Sequence, residues 1–127
     1  MPLKVATINV NGIRAAFKNG MADWLKENPE IDVLALQEVR AETKDLVDLF
    51  EANPPIDAKG NPGKWFFSHD AASAKGRAGV AIVSKTEPIA VRTTLGPDSF
   101  DSAGRWLEAD FKVGSKVVTV ILSLIHI

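Results

Sequence analysis

The sequence contains no cysteine and no tyrosine, and it has only two histidines. The lack of cysteine excludes disulfides and thiolate metal sites and is typical of proteins of the reducing cytoplasm, where we expect this chain. No apolar run approaches the length of a membrane span, and no leader peptide is evident, so we expect no membrane partner. The net charge is −1 at pH 7, so any contact with nucleic acid must rest on local basic residues.

The 127 residues, 46% hydrophobic and 24% charged, fit a single globular domain. The first half alternates predicted strands, at 4–10 and 31–36, with predicted helices, at 14–27 and 42–52. Apolar residues form one stripe on each helix: Phe17, Met21, Trp24 and Leu25 on the first, and Leu46, Leu49 and Phe50 on the second.

After the proline-rich loop at 53–63, the sequence pattern changes to short strands. Strands are predicted at 64–68, 79–84, 89–94 and 105–113, and a Gly114-Ser115 turn should pair the last of them with 116–121. In 105–113, alternation of polar and apolar residues predicts one solvated face. We therefore predict an α+β sandwich of mainly antiparallel sheets with two covering helices.

Glu38 follows the apolar residues Leu34-Ala35-Leu36 and the polar Gln37, where a buried strand should emerge from the sheet. A carboxylate at that point can bind Mg²⁺, which prefers carboxylate oxygen together with water and substrate phosphate. The alternative is that Glu38 only begins a solvated loop. Arg40, two residues later, would keep the carboxylate ionised and can reach a phosphate.

A second polar strand end lies at Asn9-Val10-Asn11-Gly12. Asn9 should lie on the face opposite Val10, while Asn11-Gly12 is also a common turn dipeptide. Arg14 then begins the predicted helix, where the alternative to a functional role is plain solvation.

A glycine-containing loop at 75–81 carries two further cations, Lys75 and Arg77, together with Gly79. Glycine permits close approach to a sugar-phosphate backbone, and the cations supply counterion release. Taken alone, this loop looks like an ordinary hairpin loop, and Arg105 looks like an exposed strand start.

Together these blocks resemble the exodeoxyribonuclease III family of Mg²⁺-dependent abasic-site endonucleases, within the endonuclease/exonuclease/phosphatase superfamily. The resemblance covers about residues 3 to 121 and implies the N-terminal half of a four-layered α/β-sandwich. It implies that Glu38 and Asn11 belong to a site for Mg²⁺, with Mn²⁺ as a substitute, and that Asn9 orients the attacked phosphate. The DNA-contacting positions it implies are Arg14, Arg40, Lys75, Arg77, Gly79 and Arg105.

The implied activity is hydrolysis of DNA phosphodiesters at abasic sites and 3′ ends, and the implied partner is double-stranded DNA with abasic or 3′-blocked sites. Two departures matter. Val39-Arg40 replaces the commoner Thr-Lys, which keeps the charge but changes the geometry. Complete members are also much longer and carry further acid–base groups beyond this sequence, so we expect the chain by itself to be inactive and the intact parent to be a monomer.

The last six residues, 122–127, are apolar and lack the expected turn. They match the translation of the end of a widely used transposon sequencing adaptor, although a genuine apolar strand is the alternative. We therefore divide the chain into 1–121, part of one nuclease domain, and 122–127, a non-native tail. Half a sandwich should leave an inner sheet face imperfectly covered, at Leu34, Leu36, Val80, Ile82 and Val118.

Two rival functions stay open from the sequence. One is a phosphatase of the same superfamily that acts on inositol phosphates or sphingolipids, against which the basic positions argue. The other is a catalytically dead nucleic-acid-binding module, against which the retained Glu38 argues.

Overall fold

The computed structural model describes residues 3–57, 59–70, 78–93 and 106–123. Its elements follow one another in the order β1 (Val5–Asn9), α1 (Ile13–Lys18), α2 (Met21–Glu27), β2 (Val33–Gln37), α3 (Thr43–Glu51), β3 (Phe66–Asp70), β4 (Val80–Ser84), β5 (Ala90–Arg92), β6 (Trp106–Val113) and β7 (Lys116–Ser123). Within these ranges, no helix has the length and apolar character needed to cross a bilayer.

The strands form two sheets. The first has the order β1-β2-β4-β3, with β1 parallel to β2 and the other pairs antiparallel. The second has the order β5-β6-β7 and is antiparallel throughout. The predicted turn at Gly114-Ser115 joins β6 to β7, with Val113 opposite Lys116. The prediction of mainly antiparallel sheets is confirmed.

The central strands of the first sheet, β2 and β4, are buried on both faces, and β2 alternates between two cores. Leu34 and Leu36 pack with the apolar stripes of the three helices on one side. Val33 and Ala35 face the second sheet, where they pack with residues of β4, β6 and β7. The result is a helix layer, a sheet and a second sheet, in agreement with part of an α+β sandwich.

This arrangement corrects the expected exposure of the inner face. Leu34, Leu36 and Val80 are fully buried and Ile82 is 1% exposed, because helices and the second sheet cover the first sheet from opposite sides. Of the five residues expected to be imperfectly covered, only Val118, 39% exposed in the edge strand β7, fits the expectation.

The single helix predicted at 14–27 is two helices, and that prediction is wrong. α1 ends at Lys18, and α2 begins at Met21 after Gly20, which has a left-handed φ of 112°. This conformation suits glycine and interrupts the helical backbone, while the apolar stripe still packs in the helix-side core. Helix α3 agrees with its prediction, with Leu46 and Phe50 buried and Leu49 packed beside them.

Phe50 of α3 forms the centre of the helix-side core. Its ring makes edge-to-face contacts with Phe17, Trp65 and Phe67, at centroid distances of 5.1, 5.6 and 6.0 Å. Such pairs contribute about 0.5–1.5 kcal/mol each beyond their buried area. They hold α1 and α3 together and pack α3 against Phe67 of β3 and the preceding Trp65.

Two strands extend beyond their predicted bounds. β3 continues to His69 and Asp70, which pair with Ala81 and Val80 of β4. β7 includes the first two residues of the predicted tail: Leu122 pairs with Leu107 and is buried between the sheets. The non-native origin of 122–127 stays a prediction, and residues 124–127 lie outside the described ranges.

Candidate active site

Three strand ends meet at one edge of the first sheet. Asn9, the last residue of β1, pairs with Gln37 at the end of β2, and Gln37 pairs with Val80 at the start of β4. The segments that follow β1 and β2 and precede β4 therefore lie side by side. These are the segments that carry Asn11, Glu38, Arg40 and Gly79.

The backbone at this edge takes an unusual conformation. Positive φ angles occur at four non-glycine residues of the described part, and all four lie here: Asn11 (46°), Glu38 (54°), Arg40 (52°) and Ala78 (45°). Each costs free energy relative to an ordinary conformation and persists only where the surrounding structure enforces it. Concentration of such residues at one place is a feature of functional sites.

Backbone hydrogen bonds between the three segments enforce these conformations. The segment after β2 accepts from the amides of Gly12 and Ile13, through the carbonyls of Glu38 (2.8 Å) and Val39 (2.9 Å). The amides of Val39 and Arg40 in turn donate to Gly79 (3.0 Å) and Ala78 (2.9 Å). The sheet ladder thus continues past the strands and holds the Glu38 backbone from both sides.

Both carboxylate oxygens of Glu38 accept hydrogen bonds from predicted site residues. The Asn9 side chain donates Nδ2–H to Oε2, and the Arg40 guanidinium donates to Oε1 at 2.7 Å. The backbone amide of Asn11 donates to Oδ1 of Asn9 at 3.0 Å, which orients the Asn9 amide towards Glu38. The Glu38 side chain is 25% exposed, so the group is accessible from solvent.

The other predicted positions differ in where they lie. Gly79, with φ of 92°, lies against the Glu38–Arg40 segment, where an added Cβ would meet the Arg40 amide nitrogen at 3.5 Å. Arg14 forms an exposed ion pair with Asp45 of α3, at 3.5 Å, on the same side of the molecule as the helices. Lys75, Arg77 and Arg105 lie outside the described ranges.

His69 is a neighbour of this site that the sequence did not indicate. Its Nδ1 shares a hydrogen bond of 3.0 Å with Thr43 Oγ1, at the start of α3. Its Nε2 is buried, has no hydrogen-bond partner among the described residues, and lies 3.8 Å from the position of an added Gly79 Cβ. Burial lowers the pKa of His69 below its ordinary value of 6.5, which favours the neutral ring.

Pairing with Ala81 of β4 keeps His69 in the sheet. The run Ser68-His69-Asp70 is polar and gives no local signal for a strand. Only the register with β4 could have revealed the burial.

The donor set at the edge fits a hard divalent cation. One carboxylate and neighbouring amide oxygens are available, and no cluster of three or more His, Cys, Asp or Glu occurs among the described residues. Mg²⁺ is typically held by one or two carboxylates and completes its shell with water and substrate phosphate, whereas structural zinc requires four nitrogen or sulfur ligands. The residues present therefore fit Mg²⁺ and not a structural zinc ion.

Comparison with known proteins identifies the family of this chain. The profile of the Endonuclease/Exonuclease/phosphatase family matches residues 6–123. The chain belongs to this family. Members of the family generally use a divalent metal ion. The exodeoxyribonuclease III resemblance is confirmed by curated relatives of that name.

Two relatives within the Endonuclease/Exonuclease/phosphatase family illustrate the similarity. The DNA repair nuclease APEX1 of Danio rerio is 36% identical over 114 residues, which is 86% of this chain and 33% of the relative. Exodeoxyribonuclease III of Haemophilus influenzae is 29% identical over 119 residues, which is 94% of this chain and 40% of the relative. The chain therefore spans between a third and two fifths of these relatives.

Solved structures show the same fold. An AP endonuclease from Archaeoglobus fulgidus matches with a TM-score of 0.67 and 31% identity, over 93% of this chain and 40% of that one. A 3′ phosphatase from Neisseria, bound to a product DNA hairpin, matches with a TM-score of 0.67 and 24% identity, over the same shares of the two chains. The predicted α+β class is confirmed.

Proposed function

We propose that this chain is the N-terminal part of a Mg²⁺-dependent DNA repair nuclease of the exodeoxyribonuclease III type. The parent hydrolyses phosphodiesters of double-stranded DNA at abasic sites and 3′ ends. The observation that carries the proposal is the Glu38 carboxylate, held at the meeting point of three strand ends by Asn9 and Arg40. The names of the curated relatives support DNA as the substrate class.

In this proposal the residues have distinct tasks. Glu38 and Asn11 hold Mg²⁺, with Mn²⁺ as a substitute, and the Asn9 amide orients the scissile phosphate. When bound, the cation neutralises phosphate charge and lowers the pKa of bound water. The rigid backbone around Glu38 keeps these groups in place before substrate arrives, so little reorganisation is needed during the reaction.

The DNA backbone is contacted by cations around the same edge. Arg14 forms an exposed pair with Asp45 that contributes little to stability and is easily exchanged for a phosphate. Gly79, which has no side chain, permits close approach of the DNA strand. The proposed contact set is Arg14, Arg40, Lys75, Arg77, Gly79 and Arg105. A cytoplasmic location and a monomeric parent complete the proposal.

The test uses the parent gene recovered beyond codon 127. Glu38→Gln preserves size but removes the charge that holds the cation, so incision of an abasic-site duplex should fall by orders of magnitude at low Mg²⁺ and recover in part at high Mg²⁺. Glu51→Gln, at the exposed end of α3, is the matched control and should leave incision unchanged. Unaltered turnover in Glu38→Gln would show that the metal assignment is wrong.

The same parent distinguishes the rival functions. A preference for inositol phosphates or sphingolipids over abasic DNA would identify the phosphatase branch. DNA binding without any Mg²⁺-dependent incision would identify a binding module. The 127-residue chain itself should not incise DNA, because the acid–base groups that the family resemblance implies lie outside it.

A further inference from the structure

Each carboxylate oxygen of Glu38 accepts a hydrogen bond from a partner within the chain. Asn9 donates to Oε2 and Arg40 to Oε1, the latter at 2.7 Å. Arg40 is the cationic one of these two partners, and its guanidinium lies against Oε1, one of the two oxygens that the carboxylate can offer to a divalent ion. We infer that Arg40 and the divalent cation compete for Oε1 of Glu38, so that metal binding displaces the guanidinium; the inference rests on the proposed metal site.

The two hydrogen bonds to Glu38 differ in how easily an incoming cation can replace them. Asn9 is fixed, because the Asn11 amide holds its Oδ1 and β1 pairs with β2 up to this residue. Arg40 has a long side chain that is 45% exposed, and an ion pair of this exposure is stabilised only weakly. A doubly charged ion therefore replaces Arg40 before it replaces Asn9.

The exchange requires no movement of the backbone. The carbonyl of Glu38 accepts a hydrogen bond from the amide of Gly12, and the amide of Arg40 donates to the carbonyl of Ala78. The backbone of both residues is therefore held in place independently of their side chains. Only the side-chain torsions of Arg40 need to change. The released guanidinium remains at the edge where the phosphate is proposed to bind, and its planar donors suit a phosphate oxygen pair.

This role differs measurably from that of a group that only keeps Glu38 ionised. Loss of the guanidinium removes a competitor and a repelling charge, and metal affinity should rise. If Arg40 instead supported the metal site, its loss would lower the affinity.

The experiment measures Mn²⁺ binding to the 127-residue chain at pH 7.5 and low salt, from the electron paramagnetic resonance signal of free Mn²⁺. Arg40→Gln and Arg40→Met should each lower the Kd by about tenfold, as expected for removal of one nearby positive charge. Arg40→Lys, which keeps the charge, should stay close to wild type. Lys112→Gln, an equal charge change on the second sheet, controls for net charge and should have no effect.

Glu38→Gln separates failure of this inference from failure of the proposed function. If wild-type binding is absent, or survives in Glu38→Gln, the metal site is wrong and the inference falls with it. If binding depends on Glu38 but both neutral Arg40 variants bind Mn²⁺ as weakly as wild type or more weakly, competition is refuted while the metal site stands. Two neutral variants of different shape protect the result against misfolding of either one.

Discussion

The two sheets of this molecule are built from similar strands but are buried differently. β2 in the first sheet is buried at four successive residues, Val33 to Leu36, because helices cover one face and the second sheet covers the other. β6 in the second sheet alternates between buried and partly exposed residues, because only one of its faces is covered. The comparison shows that burial on two faces distinguishes the central strands β2 and β4 of the sheet that carries the site.

The open face of the second sheet is stabilised by polar contacts instead. Arg92 of β5 forms a bidentate pair with Asp110 of β6, at 2.8 and 3.0 Å, and also contacts Glu108. Thr119 of β7 donates to the same Asp110 at 2.7 Å. These contacts link all three strands across a face where apolar side chains would gain little.

The largest expected difference between the sheets is in the stability lost when an isoleucine of each sheet is replaced by alanine. Ile82 of β4 is 1% exposed and packs between the sheets, whereas Ile121 of β7 is 56% exposed on the open face. Ile82→Ala should lower the free energy of unfolding by about 2–5 kcal/mol, and Ile121→Ala by about 0.5 kcal/mol or less. Urea unfolding of both variants measures this. Equal losses would mean that the second sheet's open face is covered in solution.

A smaller effect on the free energy of unfolding should come from the titration of His69, at the end of β3 in the first sheet. Burial lowers the pKa of His69, so the unfolded chain binds its proton near pH 6.5, before the folded chain does. Stability should therefore fall as the pH drops below about 6.5, until the pH passes the folded pKa. Urea unfolding between pH 8 and 5 measures this fall. His69→Gln should remove that part of the pH dependence, and an unchanged profile would contradict the assigned burial.

The smallest effect on the free energy of unfolding should come from the titration of Asp110, on the open face of the second sheet. Hydrogen bonds from Arg92, and then from Thr119, lower the pKa of Asp110 from 3.8 to about 2. This contribution to stability is present above pH 3.8 and is lost as the pH falls through about 2, and solvent screens it. Arg92→Gln should return the Asp110 pKa towards 3.8 in an NMR titration. A pKa that stays low in Arg92→Gln would assign the shift to Thr119.

The contrast between the sheets also explains which predictions succeeded. The apolar run before Glu38 predicted a buried strand, and the alternation in β6 predicted a half-solvated one. The break at Gly20 was missed, because the apolar stripe continues across it and periodicity alone does not register a left-handed residue. The burial of His69 was missed because it depends on the register of β3 with β4, which the polar residues at the end of β3 do not indicate.

By itself, the sequence determined the strands and their polar ends, since apolar patterning and turn residues act over a few neighbouring positions. It also determined the family, through blocks in a fixed order. Only the tertiary structure decided that Asn9 and Arg40 bind opposite oxygens of Glu38 and that the backbone there is left-handed at Glu38. Asn9 and Glu38 are 29 residues apart, and the hydrogen bonds that enforce this geometry come from three strands that meet only in the folded sheet.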